Sequence, residues 1–200
     1  MSKVLLATHN AKKLVELRRI LEPEVPGLEV LGLDDVTSYE EPAETELTFA
    51  GNALLKARAA VAATGLPALA DDSGLCVDAL NGMPGVLSAR WSGRAKDDAA
   101  NNALLLAQLS DVPGEHRGAA FVAAVAFCLP DGTEEVVLGE MPGSVIRELR
   151  GSGGFGYDPL FQPKGYDVTS AELTPEEKDR LSHRGQALRA IAPVVAAALS

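Results

Sequence analysis

The chain has 200 residues, 46% of them hydrophobic and 23% charged, which is enough to bury a full core in one domain or two small lobes. A formal net charge of −10 argues against a polyanionic partner such as DNA, whose phosphates need clustered Lys and Arg that outweigh the surrounding acidity. The only apolar run near the N-terminus, Val4 to Ala7, is too short for a signal-peptide core or a membrane-spanning helix, so a soluble cytoplasmic protein is expected. Cys76 and Cys128 lack metal-ligand or CxxC spacing and read as small core residues without a disulfide.

In chain order, Lys3 to Ala7 reads as a buried first strand, followed by a helix carrying Leu14, Leu17 and Leu21, with Asn10 as its N-cap and Pro23 beyond its end. A second helix is predicted behind Thr48, with Ala50, Ala53, Leu54, Ala57 and Val61 on its apolar face, stopping at Gly65. Leu66 to Ala70 is a short apolar segment, expected as a strand that ends at Asp71-Asp72 and turns at Ser73-Gly74. Ala119 to Leu129 and Glu134 to Val145 are β-rich and split by Pro130-Asp131-Gly132-Thr133, the composition of a hairpin turn. A final helix should begin at Ser182 and kink or break at Pro193, where a straight helix would lose ~3 kcal/mol. No repeat or linker interrupts the chain, so a single α/β unit with a mixed sheet over residues 1–200 is expected.

Several residues carry more chemistry than their elements require. A strand end at Asp71-Asp72 can aim one carboxylate into a cleft and hold the other in supporting hydrogen bonds, a hard oxygen site suited to Mg²⁺. Thr8-His9-Asn10-Ala11-Lys12-Lys13 places two lysines in a first helical turn, where the macrodipole is already positive. That placement becomes favourable if phosphate oxygens sit on the helix N-terminus, met by free N–H groups, the Thr8 and Asn10 side chains and a lysine. His183 and Arg184 open the last helix in the same unfavourable sense. Lys56, four residues after Asn52, shares its helix face, and Glu40, Glu41, Glu44 and Glu46 form an acidic loop upstream from which one carboxylate could complete a metal site.

Gly151-Ser152-Gly153-Gly154-Phe155-Gly156 matches the G-x-G-x-x-G dinucleotide fingerprint formally, but Tyr157-Asp158-Pro159 follows at once where a helix should open. A loop in close approach to a planar ligand fits better, with Phe155 stacking on a base and Asp158 orienting hydrogen bonds. A nicotinamide oxidoreductase would rest on this loop alone, and a nucleotide-binding regulatory module would need Lys13 and Lys56 but not Asp72.

Taken together, Thr8 to Lys13, Ala70 to Leu75, Gly82-Met83-Pro84-Gly85 with Ser88-Ala89-Arg90, Gly153 to Pro159, Ala171-Glu172-Leu173 and Ser182 to Gly185 resemble the inosine triphosphate/xanthosine triphosphate pyrophosphatase family, in the family's order and over nearly the whole chain. The resemblance implies a two-lobed α/β fold with a long mixed sheet flanked by helices and an active-site cleft between lobes. It implies a Mg²⁺-dependent homodimeric enzyme that converts ITP, dITP and XTP to monophosphate and pyrophosphate. A pyrophosphatase for other modified nucleotides differs from this only in base preference. By the same resemblance Thr8, His9, Asn10, Ala11, Lys12, Lys13 and Lys56 meet the triphosphate, Asp72 is the catalytic carboxylate and holds Mg²⁺ with Glu44, and Ser73 contacts substrate. Phe155, Gly156, Tyr157 and Asp158, with Lys178, His183 and Arg184, would enclose the base.

Overall fold

The computed structural model describes residues 2–93 and 97–199. Six strands form one mixed sheet in the order β2-β1-β3-β4-β5-β6, made by β1 (Ser2–Leu6), β2 (Leu28–Leu31), β3 (Ala68–Val77), β4 (Gly118–Cys128), β5 (Glu134–Val145) and β6 (Phe161–Pro163). β1 runs parallel to β2, pairing Val4 with Val30, and parallel to β3, pairing Leu6 with Leu69; β5 and β6 are antiparallel, with Val145 opposite Phe161. The chain divides into two compact units, the first comprising Met1–Asp72, Ala123–Gly139 and His183–Ser200, the second Ser73–Val122 and Glu140–Ser182.

In the first unit the sheet is covered on both faces, as parallel strands require. Helices α1 (Ala11–Glu24) and α5 (His183–Leu199) pack on one face, where Leu17, Ile20 and Leu21 meet Leu188, Ile191 and Val195 over Val4, Leu6 and Leu69. Helix α2 (Phe49–Thr64) covers the other face with Ala53, Ala57 and Ala60, small residues that fit against Leu5, Ala68, Ala70, Ala124 and Ala126. The predicted punctuation of α2 is present: the Thr48 side chain accepts from the Gly51 amide, and Gly65 takes the left-handed conformation at φ 69°.

The two prolines behave differently from expectation. Pro23 lies inside the last turn of α1, which continues to Glu24, and Pro193 lies inside α5 without breaking it. In α5, buried Ala187, Leu188, Ile191 and Ala192 precede the proline and Val195 follows it in the same core, so packing on both sides outweighs the missing N–H bond.

The second unit has its own core, built on Leu75, Val77, Phe121, Tyr157, Leu160 and Phe161, with Leu105 contributed by α3 (Asp98–Gln108) and Leu109 by its C-cap. A short helix absent from the sequence reading, α4 (Pro175–Leu181), carries Lys178 and is opened by a capping box between Thr174 and Glu177. Cys128 is buried as expected, whereas Cys76 is half-buried, and both are free. Among the described residues no helix is long and apolar enough to cross a membrane.

Candidate active site

β3 does not end at the paired acids, as the sequence reading expects, but runs through them and through Ser73-Gly74 to Val77. Successive strand side chains point to opposite faces, so Leu69 and Asp71 face α1 and α5 while Ala70 and Asp72 face α2. One strand thereby delivers two adjacent carboxylates to two different environments of the first unit.

Asp71 is 2% exposed. It accepts from Lys13 Nζ at 2.8 Å and from Arg184 Nε at 3.2 Å, and Arg184 Nη1 donates to Glu16 Oε2 at 3.2 Å. Burial opposes ionisation of Asp71, but the charges of Lys13, Arg184 and Lys56 outweigh it and hold the carboxyl well below the usual range. Burial also lowers the Lys13 ammonium, with Asp71 opposing the shift only in part.

Asp72 is 6% exposed and is held from α2. Asn52 Nδ2 donates to its Oδ2 at 3.1 Å, and Lys56 Nζ stands 3.5 Å from its Oδ1 while donating to Glu44 Oε1 at 3.1 Å. Burial pushes the Asp72 carboxyl up and the Glu44 charge adds to the rise, against the opposing pull of Lys56. For Lys56 burial favours the neutral amine, but Asp72, Asp71 and Glu44 together push its pKa up. Asn52 also bonds both backbone groups of Glu46, accepting its N–H at 2.9 Å and donating to its carbonyl at 3.3 Å, so one buried amide ties the acidic loop to Asp72.

Glu44 and Asp72 therefore converge on a single cation, Lys56, as hard oxygen donors suited to Mg²⁺. Among the described residues no third His, Cys, Asp or Glu completes a protein-only cage.

The N-terminus of α1 differs from expectation in one respect. Asn10 Oδ1 accepts the Lys12 and Lys13 amides at 3.1 and 3.2 Å, and Thr8 Oγ1 accepts the Asn10 amide at 3.2 Å, so these N–H groups are capped rather than open. His9, Ala11 and Lys12 are exposed, and His9 Nε2 lies 3.7 Å from Glu41 Oε2. Lys13 turns inward to Asp71.

In the second unit the glycine loop is organised around Asp158, which is 3% exposed. Its Oδ2 accepts the Phe155 amide at 2.8 Å and Lys178 Nζ at 2.6 Å, and the same ammonium lies 5.2 Å from the Phe155 ring centroid. Asp158 begins only a three-residue 3₁₀ turn, which agrees with rejecting the dinucleotide fingerprint. Tyr157 is a buried anchor whose hydroxyl donates to the Ser88 carbonyl at 2.9 Å, and Ser73, the first β3 residue of this unit, is half-buried. His183, 3% exposed, opens α5 in the first unit next to Arg184.

Patterning gives no reason to single out Glu16, a glutamate within an ordinary helix, and gives Asn52 only a shared face with Lys56. A signal for Asn52 exists in hindsight: it is a polar residue beside Ala53 on an otherwise small, apolar face.

The Ham1 family model matches residues 4–194. A dITP/XTP pyrophosphatase of Nocardia farcinica is 65% identical over 198 residues, covering 98% of this chain and 96% of the relative. One of the same name from Mycobacterium tuberculosis is 60% identical over 97% of this chain and 95% of its own length. Among solved structures, the Staphylococcus aureus Ham1 protein superposes with a TM-score of 0.88 at 35% identity, covering 98% of this chain and 100% of that one. The nucleoside-triphosphatase/dITP/XTP pyrophosphatase of Mycobacterium abscessus gives 0.79 at 61% identity, covering 96% and 99%. On both sequence and fold, this chain belongs to the Ham1 family.

Proposed function

We propose that the protein hydrolyses dITP, ITP and XTP to the nucleoside monophosphate and pyrophosphate, and so cleanses the nucleotide pool. The observation that carries this reading is Asp72: a buried carboxylate oriented by Asn52 and set beside Lys56 and Glu44. Relatives named dITP/XTP pyrophosphatase, similar over nearly the full chain, support the choice of substrate.

Cleavage between the α and β phosphates needs an attacking water in line, a carboxylate to orient or deprotonate it, and positive charge on the departing pyrophosphate. Asp72 supplies the carboxylate, and its upward shift moves its proton affinity toward that of a useful base. Lys56 and Lys13 supply cations that are already desolvated, where each interaction with a phosphate oxygen is strengthened. Asn52 fixes the Asp72 oxygen that does not face Lys56. Glu44 and Asp72 would hold Mg²⁺, which supplies further neutralisation of the leaving group. Phe155 would stack on the base, and Asp158, hydrogen-bonded by Lys178 and the Phe155 amide, would fix the loop that frames it. Arg184, bound to Asp71 and Glu16, keeps the Lys13 carboxylate partner in place. A homodimer in the cytoplasm belongs to the same reading.

Turnover of XTP and dITP, with and without Mg²⁺ and with the products resolved, tests the proposal. Pyrophosphate and monophosphate are expected in equal amounts; orthophosphate as the primary product would contradict it.

A further inference from the structure

The Phe155–Asp158 loop is held from a third direction that the proposed chemistry does not use. Helix α3 presents Asp98 and Asn102, four residues apart and so on one helix face. Asp98 Oδ2 accepts the Gly156 N–H at 2.8 Å, and Asn102 Nδ2 donates to the Gly156 carbonyl at 2.9 Å. These two groups belong to the peptide units on either side of Gly156, so the pair fixes both backbone torsions of one glycine. Gly156 sits at φ 61° with open space where a Cβ would be, and glycine is otherwise the residue most free to move.

Stability alone explains Asn102 poorly. It is 5% exposed, and its buried Oδ1 has no hydrogen-bond partner among the described residues, which is unfavourable in a core position. What the side chain does satisfy is the Gly156 carbonyl. Its neighbour Asn101 holds a different segment, accepting the Ser92 amide at 2.7 Å, so the two asparagines divide the work of α3 between two loops.

We propose that Asp98 and Asn102 are positioning residues that set purine selectivity by locking the Gly156 backbone. This rests on the reading of Phe155–Asp158 as the base-binding loop. A pocket rejects an added exocyclic amine only if its frame does not yield. Freed at Gly156, the loop shifts Phe155 on one side and Tyr157-Asp158 on the other, and the pocket adapts to bases it otherwise excludes. The reacting phosphates are handled by Asp72, Lys56 and Lys13, so the chemical step is left largely alone.

The test compares kcat and KM for XTP and dGTP in wild type, Asn102→Asp, Asp98→Ala, Asp98→Asn and Phe155→Ala. Asn102→Asp keeps the volume but sets an acceptor against the Gly156 carbonyl, and Asp98→Ala removes the acceptor. Both should raise KM for XTP about tenfold and lower the XTP/dGTP ratio of kcat/KM about tenfold, with kcat for XTP within about twofold. Asp98→Asn retains an acceptor oxygen and should restore the ratio. Because Asp98 is exposed, its pair of variants reads the proposal even where Asn102→Asp does not fold. An unchanged ratio in Asp98→Ala, or equal impairment in Asp98→Asn, overturns the positioning role while Phe155→Ala still raises KM. No change in KM for either nucleotide in Phe155→Ala overturns the base-loop reading and the proposal with it.

Discussion

Lys13 and Asp71 form a 2.8 Å ion pair in which the carboxylate is fully buried and the lysine side chain is 14% exposed. The pair joins the first turn of α1 to the centre of β3, and Arg184 adds the first turn of α5 to the same carboxylate. Three segments distant in sequence thus share one buried negative charge. Removing it leaves two desolvated cations, the costly way to break a buried pair.

Asp71→Asn should accordingly destabilise the metal-free protein by about 3–5 kcal/mol at neutral pH, measured by urea unfolding. The sign with pH follows from the depressed carboxyl. Its stabilising contribution is complete above the unfolded-state value near 4 and is lost as pH falls below it. The variant should therefore lack the part of the acid-side loss of stability that wild type owes to this group.

Asp72→Asn should separate activity from stability. The folded protein disfavours the charged Asp72 carboxyl, so the neutral amide should leave the thermal midpoint unchanged or raised. Turnover should fall about 10²- to 10⁴-fold, the usual contribution of a positioned base. Parallel calorimetry and product assays check both halves.

Asn52→Leu removes the donor to Asp72 and both bonds to Glu46. A hydrogen bond to a charged group contributes about 1.5–3 kcal/mol, so kcat/KM should drop roughly ten- to hundredfold. Steady-state kinetics beside a near-ultraviolet dichroism spectrum would distinguish this from unfolding.

Gly139 packs directly beneath the start of α5, where an added Cβ would collide with the His183 carbonyl and crowd the Ala187 amide. Gly139→Ala should destabilise by about 1–3 kcal/mol and depress turnover by displacing His183 and Arg184. Gly114→Ala, where a Cβ meets open space at an ordinary φ, should stay within about 0.5 kcal/mol in the same thermal melts.

The parts of this fold legible in the sequence are those written in local chemistry. Asn10 and Thr48 as caps, Gly65 as a helix stop and the Pro130–Thr133 turn each follow from side chains acting within a few residues. The continuation of β3 through Asp71-Asp72-Ser73-Gly74 is not local. Four turn-forming residues remain extended because Lys13, Arg184, Asn52 and Lys56, from three helices, satisfy the two carboxylates on opposite faces. The pairing of Arg184 with Glu16, separated by 168 residues, has no periodicity to betray it. Helix α4 was within reach, since Thr174-Pro175 with Glu177 is a complete N-terminal signature, but its seven residues are too few to show a stripe.

The most direct measurement is Mg²⁺-dependent turnover of XTP and dITP beside dGTP and dATP, with pyrophosphate resolved from orthophosphate. Pyrophosphate release confined to XTP and dITP, and reduced about 10²- to 10⁴-fold in Asp72→Asn, is the expected result. Equal rates on all four nucleotides, orthophosphate as the first product, or full turnover by Asp72→Asn would contradict the assignment of Asp72 and its neighbours as the centre of a selective purine triphosphate pyrophosphatase.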